Sequence, residues 1–215
     1  MRKIIVSNMI TLDGFYEGKD HSLDSLFEFF HPDYHKDESM DKYNLDLLIA
    51  SDFLLFSGKE SFLGFKSFWQ NYYSQPNTSE VRIQISKRMN LINKIVVSDK
   101  IETTDLGEWQ NTEIIRISEL EIKLAEIKNQ VGKNLLILGG RTLWNSLMDY
   151  ELIDELHIMI FPLLAYEGVP LLTSKKKVYL KLIDTQTWKG SGNVIVRYTV
   201  LYKKDIKQKS KIKTL

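Results

Sequence analysis

The strongest limit on the fold of this chain comes from the order of its strand-like and helix-like segments. Up to about residue 148, short runs of β-branched and apolar residues alternate with segments of helical periodicity. After that point, strand-like segments follow one another without a helical segment between them. Alternation favours parallel strands joined by helices, and the final run favours antiparallel strands added at one edge. The sequence therefore predicts an α/β fold built on a mixed, mostly parallel sheet.

The same patterns predict where the individual elements lie. Strands are expected at residues 2–10, 52–56, 95–97, 113–117, 135–138, 155–162, 179–188 and 193–203. Helices are expected at residues 24–30, 41–50, 78–91, 118–131 and 142–148. Thr78 or Ser79 is suited to cap the third helix, and Ser118 and Gly132 are suited to begin and end the fourth.

The composition argues against several classes of function. The chain has 29 Lys and Arg residues and 28 Asp and Glu residues, so its charges are nearly balanced. It lacks the excess positive charge that binding to a phosphate backbone requires, so nucleic acid is not an expected partner. The chain contains no cysteine, so it has no disulfide, no thiol nucleophile and no cysteine zinc site. His31 and His35 have no third and fourth ligand nearby in the sequence, so no metal site is expected.

The length and the two ends of the chain indicate one soluble domain. A chain of 215 residues with 43% hydrophobic content can build one packed core, and no linker divides it, so residues 1–203 are expected to form a single domain. Ser7 and Asn8 interrupt the N-terminal apolar run well short of a membrane span, which predicts a soluble, cytoplasmic protein. The basic residues 204–215 are expected to be a disordered tail.

Three junctions at the ends of predicted strands carry candidate chemistry. The sequence Gly139-Gly140-Arg141-Thr142 joins a strand to a helix, Gly58-Lys59-Glu60-Ser61 follows another strand, and Ser98 follows a third. A helix N-terminus behind glycines can cradle a phosphate, because free N–H groups point at it and no Cβ blocks its approach. Since ligands of open α/β sheets bind outside the carboxyl ends of the strands, the junctions are expected to converge on one ligand. The alternative is that each is only a tight turn with solvated side chains.

In their order along the chain, these junctions resemble the dihydrofolate reductase superfamily. A first strand ending in Thr11-Leu12-Asp13-Gly14 precedes them, as in that superfamily. Residues 153–164, IDELHIMIFPLL, and 167–172, EGVPLL, are similar to the reductase domain of the bifunctional riboflavin-biosynthesis deaminase/reductase, known as the RibD C-terminal domain, and to its free-standing bacterial relatives. The resemblance covers roughly residues 2–202, nearly the whole globular part of the chain.

The resemblance implies a three-layer, dihydrofolate-reductase-like fold that binds NADPH across the strand ends. The nicotinamide would lie near the end of the first strand, at Asn8, Met9, Thr11 and Asp13. The 2′-phosphate and pyrophosphate would lie near Gly58, Lys59 and Ser61, and the adenosine half near Val97 and Ser98. The pyrophosphate would rest on Gly139, Gly140, Arg141, Thr142 and Leu143. Because the bond between the two glycines is often cis in this superfamily, a cis Gly139–Gly140 bond is expected.

The activity implied by the resemblance is hydride transfer from NADPH to a planar nitrogen heterocycle or an open ribosyl-amino pyrimidine. Reduction of 5-amino-6-(5-phosphoribosylamino)uracil is the leading expectation and reduction of dihydrofolate the second, while a nucleotide-binding module without activity is the alternative from another class. Asp13, Asp24 and Glu28 are candidate catalytic residues, although each also fits a turn or a solvated helix. Glu60 opposes the expected phosphate and leaves NADH open as the cofactor. Pairing of relatives through sheet edges implies a homodimer.

Overall fold

The computed structural model describes residues 1–28, 30–203 and 205–206. Its strands are β1 (Ile4–Thr11), β2 (Phe15–Glu17), β3 (Ser51–Ser57), β4 (Asn93–Val97), β5 (Thr112–Ile115), β6 (Asn134–Leu138), β7 (Glu155–Phe161), β8 (Val169–Pro170), β9 (Tyr179–Thr187) and β10 (Val194–Leu201). Its helices are α1 (Asp24–Phe27), α2 (Ser39–Ile49), α3 (Gly58–Trp69), α4 (Glu80–Leu91), α5 (Leu120–Asn129) and α6 (Arg141–Asp149). The tail predicted at residues 204–215 lies outside the described residues, apart from Asp205 and Ile206.

Eight of these strands form one sheet in the order β5-β4-β3-β6-β1-β7-β10-β9. The six strands from β5 to β7 run parallel to one another, whereas β10 is antiparallel to both β7 and β9. The mixed, mostly parallel sheet with antiparallel C-terminal strands is therefore confirmed. The reason lies in the connections, because α-helices follow β1, β3, β5 and β6, whereas no α-helix lies between β7 and β10.

The sheet is covered by helices on both faces, which gives three layers. Along β1, the buried side chains of Ile4 and Val6 pack into one core with α5 and α6, whereas Ile5 packs into a second core with α2, α3 and α4. This alternation follows from the period of two in a strand. A strand that is buried on both faces has a continuous run of apolar residues in its sequence. This is why residues 134–138 and 54–56 do not alternate between apolar and polar residues.

Several predicted boundaries differ from the observed ones. Helix α5 begins at Leu120 rather than at Ser118, because residues 117–119 form a 3₁₀ turn that precedes it. It ends before Gln130, so Gly132 does not terminate it. Gly132 instead lies where an added Cβ would meet the Arg2 side chain at 2.3 Å. Ser79 occupies the N-cap position of α4 but accepts no capping hydrogen bond through its side chain.

A second, two-stranded sheet pairs β2 with β8, and the sequence patterns did not indicate it. Both strands are very short, and the pairing joins segments about 150 residues apart, so no local signal marks it. It covers the end of β1, where the candidate site lies.

Candidate functional site

The carboxyl ends of the parallel strands β1, β3, β4 and β6 meet at one edge of the sheet. The register places Ser7 of β1 beside Leu138 of β6, and the backbone N–H of Gly139 donates to the carbonyl of Ser7 over 3.0 Å. On the other side of β6, β3 pairs with β4 up to Ser57 and Val97. The glycine junction after β6 therefore sits centrally in this edge, between the ends of β1 and β3.

The turn at Gly139 and Gly140 depends on both glycines having positive φ. The φ angles are 67° at Gly139 and 55° at Gly140, a left-handed backbone conformation that residues other than glycine rarely adopt. An added Cβ on Gly140 would lie 2.9 Å from Cγ2 of Ile137. The expected cis bond between the two glycines is wrong, since every peptide bond of the described residues is trans. Two positive φ angles in succession reverse the chain into α6 instead.

A cavity of about 210 Å³, here called cavity A, opens on one side of this turn. Gly139, Asn8 and Met9 line it on the sheet side, and Phe65 and Trp69 of α3 form part of an otherwise largely apolar wall. Asn8 is fixed in place, because its Nδ2 donates to the carbonyl of Gly139 over 3.2 Å and its Oδ1 accepts from the N–H of Met9 over 2.9 Å. Cavity A is thus a mostly apolar cavity with a few polar groups, a lining that suits a small heterocyclic ring.

A few polar groups converge on cavity A from α2 and β1. The hydroxyl of Ser7 donates to Oδ1 of Asn44 over 2.8 Å. The carboxylate of Asp41 also lines the cavity and pairs with the guanidinium of Arg82 at 2.7 Å. Tyr16 of β2 supplies a phenol. Burial raises the pKa of Tyr16 to about 12, so its hydroxyl keeps its proton at neutral pH.

Helix α2, which carries Asp41 and Asn44, is attached to the sheet by a buried polar chain. The hydroxyl of Tyr43 lies 2.8 Å from Nδ1 of His157 in β7, and Nε2 of that ring lies 3.0 Å from Glu155. The hydrogen bond with His157 lowers the pKa of Glu155 to about 2, against the opposing effect of burial. These contacts fix the face of α2 that points into cavity A.

A second cavity, cavity B, of about 330 Å³, lies on the other side of the glycine turn. It brings together five of the predicted cofactor residues, namely Gly58, Val97, Ser98, Thr142 and Leu143. The first N–H groups of α6 have no acceptor within the helix and lie at this end of it. Lys100 also lines cavity B, which makes it a cation at this wall that the sequence reasoning did not single out.

The remaining predicted cofactor residues lie elsewhere. Lys59 forms an ion pair with Asp105 at 2.8 Å, on the α3 side of the sheet, and lines neither cavity. Ser61 lies in the first turn of α3 and also lines neither. Arg141 donates to the carbonyl of Pro170 over 3.3 Å, next to the turn. Gly140 is the N-cap of α6, and a Cβ added to it would lie 3.8 Å from Cβ of Ser57, which lines cavity B.

The three candidate catalytic carboxylates do not line cavity A. The carboxylate of Asp13 accepts from Thr11 and from the backbone N–H groups of Ala165 and Tyr166. Burial would raise the pKa of Asp13, but these hydrogen bonds outweigh it and lower the pKa. Asp24 and Glu28 are exposed. The carboxylate that the structure places in cavity A is Asp41, which no local motif in the sequence distinguishes from other acidic helix residues.

A third cavity, cavity C, of about 450 Å³, adjoins cavity A. The two share Met40 and Asp41 as lining residues. Aromatic side chains such as Tyr34 and Phe161 form much of its wall, and Arg82 and His35 add polar groups. Cavities A and C are therefore adjacent, whereas cavity B lies across the glycine turn and shares no lining residue with cavity A.

Comparison with known proteins identifies the family. The sequence pattern of the RibD C-terminal domain matches residues 2–196. The chain belongs to the RibD C-terminal domain family. The uncharacterized protein YyaP of Bacillus subtilis (strain 168) is similar to it, with 27% identity over 198 residues that cover 92% of this chain and 94% of YyaP.

Solved structures similar to this RibD C-terminal domain protein show the same fold. A diaminohydroxyphosphoribosylaminopyrimidine deaminase/5-amino-6-(5-phosphoribosylamino)uracil reductase from Thermotoga maritima has a TM-score of 0.60 at 11% identity, covering 93% of this chain and 56% of its own. Dihydrofolate reductase from Enterococcus faecalis, complexed with NADP(H), has a TM-score of 0.54 at 12% identity, covering 92% of this chain and 96% of its own. The dihydrofolate-reductase-like fold expected from the sequence is thus confirmed. Among the described helices, none is long and apolar enough to cross a membrane.

Proposed function

We propose that this protein is an NADPH-dependent reductase of a substituted nitrogen heterocycle. The observation that carries the proposal is the pair of cavities on either side of the Gly139–Gly140 turn. A dinucleotide is a molecule of two halves joined by a pyrophosphate, so it can fill both cavities while its pyrophosphate crosses the turn. A glycine turn that leads into a helix N-terminus is suited to that group. Membership of the RibD C-terminal domain family supports the same assignment.

The residues of the chain fit the two halves of such a cofactor. Gly58, Ser98 and Leu143 in cavity B would hold the adenosine half, with the Lys100 ammonium available for a 2′-phosphate. Asn8 and Met9 in cavity A would lie against the nicotinamide. When bound, the cofactor would supply the hydride, and the protein would supply orientation, charge and exclusion of water.

The substrate would share cavity A and extend into cavity C. The apolar walls of cavity A suit a planar ring, and Asp41 and Asn44 offer an acceptor and an amide to the ring edge. Cavity C gives room for a polar substituent, with Arg82 and His35 in its wall. This arrangement favours 5-amino-6-(5-phosphoribosylamino)uracil or a related pyrimidine as the substrate.

Asp41 is the carboxylate that we propose to act on the substrate. Its partner Arg82 holds it in position, and it lies at the boundary between cavities A and C. A carboxylate at that place can accept a hydrogen bond from a ring N–H and orient the ring for hydride transfer. The proposal replaces Asp13, Asp24 and Glu28 with a residue that lines the site.

The test combines cofactor binding with turnover. The wild-type protein should bind NADPH in isothermal titration and oxidise it in the presence of the pyrimidine substrate. Asp41→Asn should lower turnover by roughly 10- to 150-fold, the cost of losing one hydrogen bond to a charged group, while the dissociation constant of NADPH stays within about twofold. Asp46→Asn is the matched control, because Asp46 lies on the same helix but is exposed.

Two outcomes would contradict the proposal. A folded wild-type protein that binds neither NADPH nor NADH at millimolar concentration is not a nicotinamide-dependent reductase. A protein that binds NADPH but oxidises it with neither the pyrimidine nor dihydrofolate is a nucleotide-binding module instead.

A further inference from the structure

Tyr16 is a polar side chain of cavity A that lies against the glycine turn. It is the central residue of β2, which is paired with β8 through Phe15 and Glu17. Its side chain lines cavity A together with Asn8 and Gly139. Its hydroxyl lies 3.0 Å from the place that a Cβ on Gly139 would occupy, so the phenol covers the glycine turn directly. The short β2–β8 sheet thus brings a polar group to the glycine turn at the edge of cavity A.

The hydroxyl of Tyr16 is a donor without an acceptor. Within the part of the chain that the structure describes, no hydrogen bond is formed by this hydroxyl. It remains protonated at neutral pH, as its raised pKa requires, so it presents an O–H rather than a charge. Tyr16 is half-buried, lines cavity A and places its hydroxyl beside Gly139. A ligand bound in cavity A can therefore accept a hydrogen bond from this hydroxyl.

We infer that Tyr16 is a cofactor-binding residue whose hydroxyl donates a hydrogen bond to an oxygen of the nicotinamide half of the bound dinucleotide. The inference rests on the proposed function. Tyr16 lines cavity A and not cavity B, which is why the nicotinamide half is specified rather than the adenosine half. The carboxamide and the ribose of that half both offer neutral oxygen acceptors. Arg141, beside the same turn, is the cationic group available for the pyrophosphate.

The test compares a whole cofactor with a fragment that lacks the nicotinamide. Tyr16→Phe keeps the ring and removes only the hydroxyl. It should weaken NADPH binding about 3- to 10-fold, the range for loss of one neutral hydrogen bond. Binding of adenosine 2′,5′-bisphosphate should change less than about twofold, because that fragment contains only the adenosine half. Isothermal titration measures both without any substrate.

Tyr150→Phe serves as the matched control, since Tyr150 lines cavity B. Any change that it causes should be the same for NADPH and for the fragment. Thermal unfolding of each variant checks that the fold is retained.

Three outcomes would overturn the inference. If Tyr16→Phe binds NADPH as tightly as the wild-type protein, the hydroxyl has no role in binding. If the variant loses affinity equally for NADPH and the fragment, the hydroxyl does not act on the nicotinamide half. A wild-type protein that binds neither molecule overturns the proposed function together with this inference.

Discussion

Replacing Gly140 with alanine should damage both the fold and the site, by amounts that can be separated. Gly140 has φ 55°, and a left-handed conformation costs an alanine roughly 1–2 kcal/mol. The new Cβ would lie 2.9 Å from Cγ2 of Ile137, well inside the roughly 3.5 Å at which two carbon atoms first make favourable contact. Ile137 is fully buried, so the glycine turn itself must move.

The strain alone should lower the melting temperature by about 2–8 °C, at roughly 2–4 °C per kcal/mol for a chain of this size. The shift of the turn should add to this loss. It should also weaken NADPH binding by at least about tenfold, or 1.4 kcal/mol, because the turn is the proposed support for the pyrophosphate. Differential scanning calorimetry and isothermal titration measure the two effects independently.

Gly190→Ala is the control that isolates the strain. Gly190 has φ 79°, and a Cβ added there would meet nothing within 4 Å. It should therefore show the conformational cost without the contact and without any effect on NADPH. The reasoning is refuted if Gly140→Ala melts at the same temperature as Gly190→Ala and binds NADPH like the wild-type protein.

Three further predictions follow from other contacts. Lys100→Ala should reduce the preference for NADPH over NADH by more than Lys59→Ala does, because Lys100 lines cavity B whereas Lys59 forms an ion pair with Asp105. Equal effects of the two substitutions in competition titrations would contradict this prediction. Glu155, whose pKa is lowered to about 2 chiefly by its hydrogen bond with His157, should contribute up to about 3 kcal/mol of stability above pH 4.5. That contribution should disappear as the pH falls from 4.5 towards 2, and Glu155→Gln should remove this part of the pH dependence in urea unfolding. We also expect a homodimer that pairs through the exposed apolar residues of edge strand β9. Leu182→Lys should therefore shift the sedimentation coefficient to that of a monomer. A wild-type protein that is monomeric at micromolar concentration would exclude the homodimer.

Much of the fold was predictable because its signals are local. Apolar runs such as residues 135–138 and helical periodicity in residues 78–91 are properties of neighbouring residues, and β6 and α4 lie where these patterns indicated. Helix α3, Gly58–Trp69, was not among the predicted helices. The alternation of the two kinds of segment then determined a mostly parallel sheet, since crossover helices leave few other arrangements. Helix ends were less well predicted, as at Ser118, because small differences in backbone hydrogen bonding decide them.

For the site, the order of strands and helices along the chain was enough to predict which backbone junctions meet. Gly58, Ser98 and Gly139 each follow a parallel strand, and the carboxyl ends of parallel strands necessarily share one edge of the sheet. It did not determine which side chains face the resulting cavities. Lys59 has the charge expected of a phosphate ligand, yet it is paired with Asp105 from another loop.

The side chains that surround cavity A depend on contacts between segments far apart in the sequence. Asp41 reaches it because α2 is attached to the sheet through Tyr43 and His157, residues 114 positions apart in the sequence. Tyr16 reaches Gly139 because β2 pairs with β8, a contact between strands too short to carry a pattern of their own. Such contacts depend on how distant segments pack against one another, and the energy that fixes them does not exist until those segments have come together.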